Sequence, residues 1–362
     1  MNNEREAFDE QSGLVISDIT GEAGNEVFDE DFVSEVDLAQ AIDGFTPLPG
    51  RTRKDILPRF SIELSPGTIR LTKKAPPKGQ PRDGYKPRSI IVEWSRKSRA
   101  AMTLRLGTLD YRPLFRRGRL PAMITLTYPG DWLTVAPDAA SAQRHLNALR
   151  KRYEYQFGEP LIGLWKREHQ RSGSPHFHLF VAPPSGRSFA LWLSKAWADI
   201  VAHPDPNERA KHERAGTGID YATGLRASDP RRVATYFSKH NSANFGVKEY
   251  QNRPPQQWID TGSVGRFWGY WGIKPLVLSV EISDSDALFV ARVLRRWSKA
   301  NSQPRSRLVP RGAKSNGEMK FRRVRRRRGR FLNGLGFAIV GDGSAMGEAL
   351  ARALRSRVND ER

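Results

Sequence analysis

The sequence predicts an α+β fold: a central antiparallel sheet with helices packed on it. Three observations carry this expectation. Short runs with apolar residues at every second position alternate with longer runs of helical period. Two adjacent strand-like runs, 161–168 and 175–181, are separated by Arg171-Ser172-Gly173-Ser174, a turn sequence that folds them into an antiparallel hairpin. Neither an internal repeat nor a strict strand–helix alternation is present, which sets aside solenoids and a parallel sheet.

Further strand patterns fall at 89–94, 123–128 and 276–282. Helical spacing marks 138–157, 188–201, 230–241, 285–297 and 345–358. Asp229 and Pro230 supply a cap and a first-turn proline for the third of these. No stretch approaches the ~18 apolar residues of a membrane span, and the polar, acidic start does not read as a secretory signal, so a cytoplasmic protein is expected. Cysteine is absent from the 362 residues. Disulfides and Cys-ligated metals are thereby excluded, and a metal would need His, carboxylate or water.

Charge divides the chain. The net charge is +21, yet residues 1–50 hold thirteen acidic residues against one Arg, leaving +33 for the rest. The arm 1–50 is expected to be disordered, and 51–118 to form a basic N-terminal extension whose 51–88 part runs extended along a phosphate backbone. A folded domain is expected over 119–285, and a basic C-terminal region over 286–362. Residues 320–330 place eight cations in eleven positions, including Arg322, Arg323, Arg325, Arg326, Arg327 and Arg328. A body this basic points to DNA, because each cation that meets a phosphate releases condensed counterions.

Two motifs carry chemistry. In Pro175-His176-Phe177-His178-Leu179, strand geometry puts both imidazoles on one face and the apolar residues on the other. If the turn centres on Gly173, Glu168 falls opposite His178 and Gln170 opposite His176, adding a carboxylate to the pair. In the helix after Asp229, Arg232, Tyr236 and Lys239 share one stripe, a phenol beside cations that favour its phenolate. Taken singly, a His-x-His pair is also an ordinary surface feature, and a Tyr-x-x-Lys helix is also explained by packing.

Together the motifs resemble the HUH endonuclease superfamily, and within it the rolling-circle replication initiator (Rep) proteins of plasmids and small phages. Met123-Ile124-Thr125-Leu126-Thr127 is similar to the family's first motif. Gly173-Ser174-Pro175-His176-Phe177-His178 with Glu168 is similar to the second, and Tyr236-Phe237-Ser238-Lys239 to the third. The resemblance spans roughly 119–283. It implies a ferredoxin-like or RRM-like core and site-specific nicking of single-stranded or hairpin DNA. Mg2+ or Mn2+ would sit on His176, His178 and Glu168, Tyr236 would be the nucleophile and Lys239 a stabiliser of phosphate charge. Thr125 and Thr127 would support the histidines, and Arg231, Arg232 and the 322–328 arginines would bind DNA. His240 stands where some relatives carry a second tyrosine, implying a single nucleophile. No phosphate-binding loop is present, so a host helicase and a polymerase are implied partners. A relaxase or single-strand transposase of the same superfamily, and a non-enzymatic basic nucleic-acid binder, are the competing expectations. Gly265-Arg266-Phe267-Trp268-Gly269 receives no role beyond an aromatic cluster.

Overall fold

The computed structural model describes residues 35–45, 59–74, 91–226, 237, 249–262, 264–300, 305–313, 315–326 and 336–360. The chain divides into two compact units, one of 85–275 with the first 32 residues, the other of 33–84 with 276–362. These boundaries differ from those expected.

The hairpin β1 (Arg59–Ser65) and β2 (Thr68–Lys74) replaces the extended arm expected there. The reason is visible in the alternation: Ile62, Leu64, Ile69 and Leu71 are all buried, an apolar face that an extended arm would leave in water. Residues 91–95, expected as the end of a strand, instead lead into the helix Arg96–Gly107, whose N-cap Ser95 accepts from the Ser98 backbone N–H.

The larger unit is built on five antiparallel strands. These are β3 (Ala122–Leu126), β4 (Gly163–His169), β5 (Pro175–Val181), β6 (Thr217–Asp220) and β7 (Trp268–Trp271), in the order β6-β3-β5-β4-β7. The sequence pattern located β3, β4 and β5 closely. β6 and β7, four residues each, are too short to show a period.

One sheet face is apolar. Phe177, Leu179, Ile124 and Leu126 are buried in a single core with Leu146, Leu149, Leu193 and Trp197 from the helices Ala139–Phe157 and Arg187–Val201. Each fully buried Phe or Leu contributes roughly 1.5–3 kcal/mol. Asp138 starts the first of these helices, accepting from the Ser141 backbone N–H at 2.6 Å. Trp197 ties the second to the sheet, donating from Nε1 to the Thr127 carbonyl at 2.7 Å. Arg167 lies on this face, fully buried, with its guanidinium carbon 5.0 Å from the Trp258 ring and 5.1 Å from the Phe267 ring. Burial lowers its pKa to about 10, so it stays charged within an aromatic clamp.

The smaller unit carries a second antiparallel sheet, β11-β2-β1-β8, with β8 (Leu278–Ile282) and β11 (Gly336–Ile339), and a ribbon of β9 (Arg305–Ala313) with β10 (Met319–Arg326). β8 was expected in the central sheet. It pairs instead with β1, Phe60 opposite Ile282. The helix Glu35–Asp43 corrects the expectation of disorder across 1–50: Leu38, Ala41 and Phe45 are buried, and Arg355 donates to the Gly44 carbonyl at 2.6 Å. Both units are therefore sheets with helices packed on them.

Candidate functional site

The polar face of the five-stranded sheet holds the candidate site. His176 and His178 stand side by side on β5, ring centroids 4.5 Å apart, as strand periodicity requires. β3 pairs with β5 so that Thr125 lies opposite His178, and its hydroxyl is 3.3 Å from His178 Nδ1. Gln170 Nε2 is 3.2 Å from His176 Nδ1. Each imidazole is thus engaged at Nδ1, the arrangement that fixes ring orientation and leaves Nε2 for a ligand.

The hairpin register differs from expectation by two residues. Glu168 pairs with His176, and Lys166 with His178. The loop is three residues, Arg171–Gly173, closed by Gly173 N–H donating to the Gln170 carbonyl at 3.0 Å and Gln170 N–H donating to the Ser174 carbonyl at 2.9 Å. Gly173 adopts φ +83°, the left-handed position that ends such a turn. A two-residue shift preserves the face, so Glu168 remains beside the histidines. Its Oε2 lies 3.5 Å from His178 Nε2, and its Oε1 forms an ion pair with Lys166.

Lys166 and Glu168 are each 2% exposed, whereas the His178 side chain is 21% exposed, so the site opens to solvent at the imidazoles. Lys166 Nζ lies 5.1 Å from the Trp94 ring, and burial pulls its pKa below the usual lysine value against the opposing pull of Glu168. Burial, reinforced by His178, lowers the His176 pKa to about 4, which keeps the ring neutral and able to ligate at pH 7. Across all five strands one row reads Gly218, Thr125, His178, Lys166, Trp268. A cleft of about 1360 Å³ borders the β7 end of that row, lined among others by Trp268, Tyr270, Trp271, Arg105 and Arg266.

Residues 121–244 match a family model for replication-associated proteins of the ORF2 type. The matched segment covers about a third of the chain and contains β3, β4, β5 and β6, with Thr125, Lys166, Glu168, Gln170, His176 and His178. The match supports a replication-initiator role. No curated protein and no solved structure matches the chain.

Within the matched segment the structure brings together His176, His178, Glu168 and Thr125. Thr127 is elsewhere engaged: its hydroxyl donates to the Gly216 carbonyl at 3.1 Å, so it braces β6 and does not touch a histidine. Tyr236, Lys239, Arg231 and Arg232 lie outside the described residues, as do Arg327 and Arg328. Phe237, next to Tyr236, is buried in the core. Arg322, Arg323, Arg325 and Arg326 lie on β10, in the other unit. Among the described residues, no three His, Asp or Glu side chains form a group that holds a metal ion as they stand. The donors nonetheless fit a divalent ion in kind, with one neutral imidazole, a second beside it and an adjacent carboxylate. Lys166 was missed by sequence reasoning, although it shares the parity of Glu168 on a strand. No helix among the described residues is long and apolar enough to cross a membrane.

Proposed function

We propose that the protein initiates rolling-circle replication by nicking one DNA strand and later joining it. The observation that carries this reading is the imidazole pair, oriented through both Nδ1 atoms on a rigid sheet, inside a segment similar to replication-associated proteins. His176 and His178 would hold a divalent ion, Mg2+ or Mn2+, through Nε2, with Glu168 alongside. An amide meets an imidazole with either end; through its carbonyl, Gln170 accepts from His176 Nδ1–H and frees Nε2. The bound ion would neutralise and polarise the scissile phosphate.

Tyr236 is the proposed nucleophile. Its phenolic oxygen forms a bond to phosphorus, the bond from phosphorus to the 3′ oxygen breaks, and that oxygen takes up a proton. The products are a 5′-phosphotyrosyl link and a free 3′-OH that primes a polymerase, while the retained phosphoester allows later rejoining. Lys239 stabilises charge on the transferring phosphate. Positive charge over the body of the chain supplies sequence-independent DNA affinity, and Trp268, Tyr270 and Trp271 offer faces on which bases of a single strand stack. A helicase from the host would separate the strands.

The test is to incubate the protein with Mg2+ or Mn2+ and labelled single-stranded DNA and look for a denaturant-stable protein–DNA adduct. The reading expects an adduct with the wild-type chain and none with Tyr236→Phe. Strand cleavage without any adduct would instead indicate hydrolysis by water.

A further inference from the structure

The carboxylate of Glu168 has two claimants. One oxygen is ion-paired to the buried ammonium of Lys166, and the other faces His178 Nε2 at 3.5 Å, where a divalent ion on that histidine would sit. Lys166 is fixed in place: it is directly opposite His178 on β5 and Trp268 on β7, and its Nζ lies 5.1 Å from the Trp94 ring. Both side chains of the ion pair are only 3% exposed, so water screens their attraction weakly. A dication that recruits Glu168 must therefore share it with a cation already present.

We propose that Lys166 is a specificity-determining residue for the metal, an internal counter-cation that competes for Glu168 and leaves the two imidazoles as the principal protein ligands. This rests on the metal reading given above. The chemical consequence is selectivity. Mg2+ takes oxygen ligands and dehydrates reluctantly, so it gains little from two nitrogens and a neutralised carboxylate. Mn2+ binds imidazole more readily and is less dependent on Glu168. Lys166 thus biases the site against Mg2+.

Calorimetric titration with Mn2+ alone, and with Mg2+ competing against it, tests the proposal. Wild-type protein is expected to bind Mn2+ at least tenfold more tightly than Mg2+; equal affinities overturn the inference. Lys166→Met and Lys166→Gln, each checked for native circular dichroism, should raise Mn2+ affinity about tenfold or more and Mg2+ affinity by a larger factor. Lys166→Arg, which keeps the charge, should stay within about threefold of wild type, and Lys166→Met with Glu168→Gln should lose the gain. A purely structural Lys166 predicts lower stability with unchanged or weaker metal affinity in folded Lys166→Met or Lys166→Gln, which overturns the inference. Wild-type protein that takes up no Mn2+ sinks the metal reading and this inference together. Uptake that depends on His178 but ignores Lys166 sinks this inference alone.

Discussion

Glu168 lies directly across the hairpin from His176 yet extends a carboxylate oxygen to within 3.5 Å of Nε2 on His178, the diagonal neighbour. Diagonal contacts across an antiparallel pair are within reach of a long side chain, and here Lys166 occupies the place directly opposite His178. The three residues consequently act as one electrostatic unit beneath the two rings.

Removing either imidazole should abolish most cleavage while sparing DNA affinity. His176→Ala and His178→Ala are expected to slow single-strand cleavage by about 10²–10³-fold, with dissociation constants for the same oligonucleotide essentially unchanged, because binding is dominated by phosphate contacts elsewhere. Parallel loss of binding and cleavage would show that the pair serves the fold.

Thr125 and Thr127 should separate cleanly. Thr125→Val removes the partner of His178 Nδ1 and is expected to weaken Mn2+ binding about 10–100-fold. Thr127→Val removes a bond to the Gly216 carbonyl, and should cost about 1 kcal/mol of stability in urea unfolding with metal affinity unaltered.

This contrast also shows how far the sequence was legible. Alternation placed β3, β4 and β5, and parity alone set His176, His178, Glu168 and Thr125 on one face. Register was not legible, because it depends on whether Gly173 or Ser172 centres the loop, and a left-handed glycine at the last loop position decides it. Residues 59–74 were misread because Lys, Arg and Pro dominate the surrounding composition, while the buried set Ile62, Leu64, Ile69 and Leu71 becomes coherent only once two strands pair. Lys166 escaped notice for a different reason: a lysine on an edge-to-core strand reads as solvated, and only tertiary packing with Trp94 and Glu168 buries it.

The loop itself can be tested. Gly173→Ala forces a side chain into φ +83° and brings a Cβ to 3.3 Å from Pro255 Cβ. A loss of about 1–2 kcal/mol is expected in tryptophan-monitored unfolding, with metal affinity falling as the register loosens. Eight of the nine tryptophans lie in the unit that carries the site, which makes their fluorescence a direct report on it.

Acid should destabilise this unit through His169. Burial against Trp258 and Phe267 lowers its pKa to about 3, below the ~6.5 of an unfolded chain. The folded state therefore binds fewer protons, so the contribution is complete above pH 6.5 and is lost progressively as pH falls towards 3. His169→Phe should flatten the pH dependence of the urea midpoint in that window, by up to about 1.4 kcal/mol per pH unit. An unchanged slope would exclude His169 as its source.

Single Arg→Ala changes at Arg322, Arg323, Arg325 and Arg326 should weaken binding to any DNA sequence alike and reduce the slope of log affinity against log salt by up to about 1 each. A change confined to one sequence would contradict a role in phosphate contact.

The central claim is that His176 and His178 together hold the ion that serves strand transfer. Pulsed electron paramagnetic resonance of the Mn2+-loaded protein reads it directly, because each imidazole nitrogen bound to manganese gives its own hyperfine coupling. Two coupled nitrogens are expected in the wild-type chain, and one in each of His176→Ala and His178→Ala. A spectrum without nitrogen coupling, or one indifferent to both substitutions, would contradict the account.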